Sequence, residues 1–252
     1  MARAPKSTRA VRQTASHALR RLRSLASASR AVGLRRFFRT GPGEYGEGDR
    51  FLGLTMPQLR LIASDFRDLP LGEIETLLES IWHEARALAV VLLADRYPKA
   101  DPPIQEQIYR LYLRRADRIN SWDLVDISAP HVVGAHLLRQ SRAPLRQLAR
   151  SSSLWERRIA MVATLQLIRH DEFDDTLQLA KLLMNDPQDL MHKATGWMLR
   201  EVGKRDESVL RAFLDRHARA LPRTALRYAI ERLTPTRRKR YMAVPKKLQH
   251  QP

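Results

Sequence analysis

Apolar residues recur at helical spacing along nearly the whole chain. Segments such as "IETLLESIWHEARALAVVLLADRY" and "WERRIAMVATLQLIR" place them at positions i, i+3, i+4 and i+7, which makes one face of a helix apolar. No segment alternates apolar and polar residues for long enough to predict a strand. Prolines such as Pro57, Pro130 and Pro222 interrupt the pattern and predict the turns between helices. The pattern therefore predicts an all-α protein.

A weak internal repeat groups these helices into pairs. Five segments align, and their starts are 31 to 38 positions apart: "HEARALAV" from His83, "SWDLVDIS" from Ser121, "WERRIAMV" from Trp155, "HKATGWML" from His192 and "RTALRYAI" from Arg223. Each segment is expected to begin the second helix of a helix–turn–helix unit, at the period typical of α-solenoids. In such an array the second helices line the concave face.

Positive charge is concentrated at the two ends of the chain. The 252 residues carry a formal net charge of +18; residues 1–39 hold eleven Lys or Arg and residues 236–252 hold six, with no acidic residue in either range. Such ends favour a polyanionic partner such as nucleic acid, because each neutralised phosphate releases counterions. Tails that only increase solubility are the alternative.

The N-terminal segment has two interpretations. Its Arg- and Ser-rich, acid-free composition is typical of a mitochondrial transit peptide. Because "HALRRLRSLA" continues at helical spacing into the next segment, we favour a first helix of the folded domain. We expect a basic, flexible tail over 1–11, one repeat domain over 12–240 and a basic tail over 241–252. The absence of cysteine excludes disulfides and thiolate metal sites and favours a reducing cytoplasm.

The segment "GPGEYG" (41–46) matches the pattern G-x-G-x-x-G. A dinucleotide site needs a preceding strand, and the side chains of Glu44 and Glu47 would repel a pyrophosphate. We therefore expect a structured turn between two helices. Tyr45 in this turn is available to contact a ligand.

Two other groups of polar residues have local explanations. His131 and His136 are five residues apart and do not share the face of an α-helix, which disfavours a zinc site. The serines at 151–153 match no nucleophile motif. They are expected to cap the helix that begins at Leu154.

The aligned repeats bring four residues toward one groove. Trp122 and Asp126 lie at positions i and i+4 of one expected helix, so they share a face. The adjacent units contribute Arg158 and Trp197. Core tryptophans and a buried Asp–Arg ion pair are the structural alternative for this set. Asp123 needs no chemical role, because the helix dipole stabilises a carboxylate in the first turn.

At these residues the sequence resembles the AlkD group of bacterial DNA alkylation repair glycosylases, which are built from HEAT-like repeats. The similar segments are "SWDLVD", "LWERRIAM" and "KATGWMLREV", in the same order and at close to the same spacing. The segment "FFRTGPGEYGEGDRFLGL" resembles an N-terminal signature of the group. The resemblance covers residues 30–235. It implies an all-α, HEAT-like helical-repeat solenoid with a concave DNA-binding groove.

The resemblance also implies an activity, the hydrolysis of the N-glycosidic bond of alkylated purines in duplex DNA during base excision repair. The expected substrates are of the 3-methyladenine or 7-methylguanine type. The catalytic set of the group matches Trp122, Asp126, Arg158 and Trp197. Asp126 would stabilise positive charge on the deoxyribose, the two indoles would offer it their π faces, and Arg158 would make a bidentate contact with a phosphate.

Further residues and partners complete this hypothesis. Tyr45, Arg157, Lys193 and Arg200 are expected to contact double-stranded DNA. Because no ligand set is evident, we expect no metal and no cofactor, and the enzyme is expected to be a monomer of the bacterial cytoplasm, associated with the nucleoid. Two other functions remain open: a non-catalytic protein of this fold that binds unusual DNA structures, and a HEAT-type scaffold that binds protein segments.

Overall fold

The computed structural model describes residues 13–245, and over this range the chain is helical without β-strands. The α-helices are α1 (Ala15–Ser24), α2 (Ala28–Phe37), α3 (Met56–Asp65), α4 (Leu71–Leu78), α5 (His83–Arg96), α6 (Pro102–Arg114), α7 (Trp122–Ser128), α8 (Ala135–Leu137), α9 (Ala143–Leu148), α10 (Leu154–Arg169), α11 (Asp174–Leu182), α12 (Asp189–Arg205), α13 (Glu207–His217), α14 (Arg223–Ala229) and α15 (Pro235–Ala243). The expected tail over 1–11 and residues 246–252 lie outside the described range. Helix α15 ends three residues beyond the expected domain boundary at 240. No helix of the described range is long and apolar enough to cross a membrane.

Local sequence signals account for most helix starts. The hydroxyl of Ser153 accepts a hydrogen bond from the backbone N–H of Glu156 at 3.4 Å, which confirms the predicted cap of α10. Prolines occupy the first turn of α3, α6, α9 and α15, where the N–H that they lack would have no helical partner.

Pro130 does not end its helix, contrary to the prediction of a turn. It begins a π-helical turn, Pro130–Gly134, between α7 and α8. The N–H of Gly134 donates to the carbonyl of Ala129 at 2.9 Å, which is the i to i+5 bond of a π turn. Proline removes one α-helical bond here, and the wider turn accommodates that loss. Gly134 lies so close to α10 that a β-carbon would be 2.2 Å from the carbonyl oxygen of Ala163.

The chain divides into two compact units, with the boundary between Leu92 and Leu93. In the first unit α1 packs against α3 and α4 and buries Ala15, Ala18 and Leu22. This packing confirms the interpretation of the segment "HALRRLRSLA" as a first helix.

Helix α2 is an exposed basic helix of the first unit. None of its ten residues is buried, and Phe37 at its end is 64% exposed. Its arginines, Arg30, Arg35 and Arg36, are exposed. No acidic residue precedes Glu44 in the chain, so every charged side chain of α2 itself is positive. Together with α1, this helix belongs to the described part of the basic N-terminal end.

The glycine-rich segment is a turn between α2 and α3, as predicted. Gly43 has a φ of +74°, a left-handed conformation that favours glycine. The carboxylates of Glu44 and Glu47 each accept a backbone N–H of this turn, from Gly41 and Gly43, at 2.9 Å. Tyr45 is half-buried in the turn.

A buried carboxylate holds the segment that follows this turn. Glu84 is 2% exposed and accepts hydrogen bonds from the backbone N–H groups of Leu52, Gly53 and Leu54 at 2.8, 2.7 and 3.2 Å. These donors lie in neither a helix nor a strand, so the side chain of Glu84 supplies the acceptors that secondary structure would otherwise provide.

Glu84→Gln is expected to lower the free energy of unfolding by about 2–4 kcal/mol, because the new amide nitrogen would face backbone donors and leave at least one unpaired. Urea unfolding followed by circular dichroism measures this change. The matched control is Glu79→Gln at an exposed position, for which we expect a change within about 0.5 kcal/mol. Equal stabilities of the two variants would contradict the role given to Glu84.

The second unit contains the helical repeats. Helix α7 packs against α10, α10 against α12, and α12 against α14, while α9, α11 and α13 pack against this row. Four of the five predicted second helices, α7, α10, α12 and α14, therefore lie side by side, and the fold is the predicted all-α helical-repeat fold. Gly196 permits the close approach of α12 to α14, because a β-carbon there would lie 2.4 Å from the carbonyl oxygen of Ala225.

Candidate active site

A bidentate ion pair joins α7 to α10. The guanidinium of Arg158 donates from Nε to Asp126 Oδ1 at 3.0 Å and from Nη2 to Asp126 Oδ2 at 2.9 Å. Its Nη1 donates to the backbone carbonyl of Leu190, in α12, at 2.6 Å. The side chain of Arg158 is 5% exposed and that of Asp126 is 19% exposed. One arginine thus links three successive repeat helices at a carboxylate that solvent still reaches.

Trp122 begins α7 one turn before Asp126, so the two side chains share a helix face, as predicted. Trp122 is partly buried. Ser121 is the N-cap residue of α7, but its side chain makes no capping hydrogen bond. Asp123 lies in the first turn, where its charge complements the helix dipole, as expected.

The pKa of Asp126 is raised above the ordinary aspartate value. The largest cause is burial, which disfavours the charged form. The guanidinium of Arg158 opposes this effect through its charge and its hydrogen bonds, and the nearby carboxylate of Asp123 adds a small upward contribution. Asp126 is therefore a poorly solvated carboxylate whose ionisation depends on one partner.

Trp197 lies on α12 beside a cavity of about 320 Å³. The cavity is lined by Leu165, Ile168 and Arg169 of α10 and by Trp197, Glu201, Lys204 and Arg205 of α12. The indole is partly buried, and its Nε1–H donates to Glu201 Oε1 at 3.1 Å. The indole of Trp197 therefore lines a cavity that also has Arg169, Lys204 and Arg205 in its lining.

The structure brings the four predicted catalytic residues onto three helices that pack in sequence. Asp126 and Arg158 are in direct contact, and Trp122 shares the face of Asp126. Trp197 is seven residues beyond Leu190, the residue whose carbonyl Arg158 reaches, which corresponds to about 10 Å along α12. The candidate site is thus the ion pair of Asp126 and Arg158. One indole, that of Trp122, lies on the same helix as Asp126, and the second, that of Trp197, lies farther along α12.

Arg157, predicted to contact DNA, is engaged within the protein. Its Nε donates to Asp186 at 2.6 Å, and its Nη1 donates to the carbonyls of Ser151 and Ser152 at 3.0 and 2.8 Å. The side chain is 13% exposed. These bonds fix the segment before α10 to the segment before α12.

The other predicted DNA contacts are more accessible or lie elsewhere. Lys193 is 41% exposed and pairs with Asp189 at 2.9 Å, in the first turn of the same helix. Arg200 is 19% exposed and pairs with Glu231. Tyr45 belongs to the first unit. Contact with DNA stays a prediction for all of these residues.

Two participants were missed by the sequence reasoning. The carbonyl of Leu190 is a backbone group and has no signature in the sequence. Glu201 does have one, since it follows Trp197 by four residues and so shares its helix face. An acid at that spacing usually indicates an exposed pair, and its burial becomes visible only in the packed structure.

Comparisons with known proteins identify one family and one similar solved structure. A family model described as "DNA alkylation repair enzyme" matches residues 18–233. A search of curated proteins gives no significant match. Among solved structures, a "Predicted DNA alkylation repair enzyme from Enterococcus faecalis" is similar, with a TM-score of 0.67 and 16% identity over 83% of this chain and 97% of that chain. At this identity the structural likeness shows the fold alone.

Proposed function

The chain belongs to the family of DNA alkylation repair enzymes, and from that premise we propose that it is a glycosylase that hydrolyses the N-glycosidic bond of cationic alkylated purines in duplex DNA. Family membership gives the protein a role in alkylation repair. The type of bond and the substrates, purines of the 3-methyladenine and 7-methylguanine type, are the proposal. The observation that carries it is Asp126, a largely buried carboxylate held by Arg158 on the helix face that also bears Trp122.

The proposed reaction needs no proton donor for the leaving base. A purine alkylated at N3 or N7 carries a fixed positive charge and departs as a neutral base, so no general acid is required. As the bond breaks, positive charge builds on the deoxyribose in an oxocarbenium-like transition state. The carboxylate of Asp126 stabilises that charge and orients the attacking water, and poor solvation strengthens both effects. The indoles of Trp122 and Trp197 present π faces that attract a cation.

Arg158 has a different role in this proposal from the one that the sequence suggested. Its Nε and both terminal nitrogens are engaged, with Asp126 and with the carbonyl of Leu190. A bidentate phosphate contact through Nε and Nη2 would break the pair with Asp126 and leave a partly buried carboxylate without its cation. We therefore assign Arg158 to the positioning of Asp126. The DNA backbone is left to cations with accessible side chains, such as Lys193 and the arginines of α2.

The direct test is base release from methylated duplex DNA. The protein is incubated with double-stranded DNA treated with dimethyl sulfate, and the released bases are separated by chromatography and quantified against a reaction without protein. We expect free 3-methyladenine or 7-methylguanine together with abasic sites, and no nucleotides. Strand breaks that appear only after alkali treatment would agree with hydrolysis of the glycosidic bond alone.

The same experiment separates the other functions considered for this fold. Binding to DNA that weakens steeply with salt, without release of any base, would indicate a non-catalytic DNA-binding protein. Absence of both binding and release would leave a protein-binding scaffold. Either result would refute the glycosylase proposal.

A further inference from the structure

The environment of Trp197 contains a carboxylate, Glu201, that takes no part in the proposed cleavage step. Glu201, one turn later on α12, accepts the indole N–H of Trp197 at 3.1 Å and the ammonium of Lys204 at 2.7 and 2.9 Å. The guanidinium of Arg200 lies 3.6 Å away. The carboxylate is therefore fixed between an indole edge and two cations.

Burial distinguishes Glu201 from an ordinary surface ion pair. Its side chain is 17% exposed, whereas its partner Lys204 is 43% exposed. In the surface pair Glu106–Arg110, by contrast, the two side chains are 42% and 73% exposed. Exposed pairs of that kind contribute little to stability. The carboxylate of Glu201 is directed toward Trp197, and Lys204 covers it from the solvent side.

A hydrogen bond at this position fixes the direction in which the indole faces. The indole has a single donor and no acceptor, and the torsion that turns the ring is broad in the absence of such a bond. With the N–H held by Glu201, the ring forms a wall of the 320 Å³ cavity between α10 and α12. A negative charge at the N–H edge also polarises the ring, which increases the attraction of its face for a cation.

We propose that Glu201 is a positioning residue that orients the indole of Trp197 and strengthens the attraction of its π face for positive charge in the cavity that the ring lines. The effect on catalysis rests on the proposed glycosylase function, since the cation concerned is the deoxyribose of the alkylated nucleotide. The hydrogen bond itself is independent of that function. The two parts can therefore be tested separately.

Two substitutions separate the hydrogen bond from the charge. Glu201→Leu removes both, whereas Glu201→Gln keeps an oxygen acceptor for the indole N–H and removes only the charge. Glu106→Gln is the matched control, because it makes the same chemical change in the exposed pair with Arg110. Thermal unfolding of each variant establishes that it is folded before the other measurements are made.

The first readout is the indole N–H resonance of Trp197 in the ¹⁵N-labelled protein, assigned among the four tryptophans by means of Trp197→Phe. We expect Glu201→Leu to shift this resonance and to speed its exchange with solvent about tenfold or more, and Glu201→Gln and Glu106→Gln to leave its exchange nearly unchanged. Unaltered exchange in Glu201→Leu would overturn the proposal, whatever the enzyme does to DNA.

The second readout is base release from methylated duplex DNA at saturating and at limiting DNA. Glu201→Leu is expected to lower kcat about tenfold with little change in KM, which is the size of effect given by the loss of one indole–cation attraction. Glu201→Gln should retain part of this rate, and Glu106→Gln nearly all of it. An altered resonance with an unchanged kcat would refute the catalytic part. No release by the wild-type protein would refute the proposed function, while the resonance still decides whether Glu201 holds Trp197.

Discussion

Asp126→Asn is expected to lower the rate of base release by about 10²- to 10³-fold, while affinity for methylated duplex DNA changes little. The substitution preserves the size of the side chain but removes the charge that opposes the developing oxocarbenium ion. It also leaves Arg158 with one acceptor oxygen in place of two. Single-turnover release of methylated bases measures the chemical step, and a binding titration at constant salt measures affinity.

The matched control for this experiment is Asp123→Asn, which makes the same change three residues earlier on the same helix. Because Asp123 lies in the first turn of α7 and contributes only a minor part of the electrostatic environment of Asp126, we expect a rate within about threefold of the wild type near neutral pH. Equal losses of rate in the two variants would show that the loss is not specific to the carboxylate of Asp126. An unchanged rate in Asp126→Asn would remove the proposed catalyst.

Arg158→Gln is expected to move the acid limb of the pH–rate profile to higher pH. Base release needs the ionised carboxylate, so the rate falls as the pH falls through the pKa of Asp126, which burial has already raised. The guanidinium of Arg158 opposes that effect, and its removal raises the pKa of Asp126 further. Initial rates measured across the acid and neutral range, corrected for spontaneous depurination, give the position of the limb. Arg158→Lys keeps a positive charge and should show a smaller displacement.

Arg158→Gln should also lower the free energy of unfolding by an amount that depends on pH. Because the pKa of Asp126 in the folded protein lies above its unfolded value, ionisation of this group costs stability as the pH rises through the folded pKa, and Arg158 offsets part of that cost. We expect Arg158→Gln to lower the free energy of unfolding by about 3–5 kcal/mol near neutral pH and by less in acid, where the carboxyl is protonated.

Arg157→Gln is the control for both effects of Arg158→Gln. It removes the adjacent guanidinium, which pairs with Asp186 and not with Asp126. A loss of stability is expected in this variant too, but the acid limb should remain where it is in the wild type. A common displacement in both variants would mean that general positive charge, and not the specific pair, sets the ionisation of Asp126.

Much of the second unit could be predicted from the sequence because its helices carry regular apolar faces. The repeated segments mark the starts of α7, α10, α12 and α14, and these helices pack in the predicted order. Pro130 shows the limit of such reasoning. A proline predicts the loss of a backbone bond, but whether the chain then turns or widens into a π turn depends on what packs against it, which here is α10 at Gly134.

The sequence predicts which residues form the candidate site better than it predicts the hydrogen bonds between them. Helical spacing places Trp122 and Asp126 on one face, and the alignment of repeats adds Arg158 and Trp197. It does not show that all three guanidinium nitrogens of Arg158 donate to Asp126 and Leu190, because that depends on the distance and angle between helices about thirty residues apart in sequence. The partly buried position of Glu201 depends in the same way on the packing of α12.

The π turn after α7 also fixes the rotation, about the helix axis, of the following residues relative to α7. Each residue of an α-helix turns the chain by about 100°, so the extra residue in Pro130–Gly134 changes by about that angle the direction of all that follows relative to α7. Two residues on either side of this turn contact α10. Asp126, before the turn, binds Arg158, and Gly134, at its end, packs against Ala163. The alignment of these two contacts is therefore fixed by the number of backbone residues between them. Loss or gain of one residue within 130–134 would rotate the carboxylate away from its arginine, a change that no single side-chain replacement reproduces.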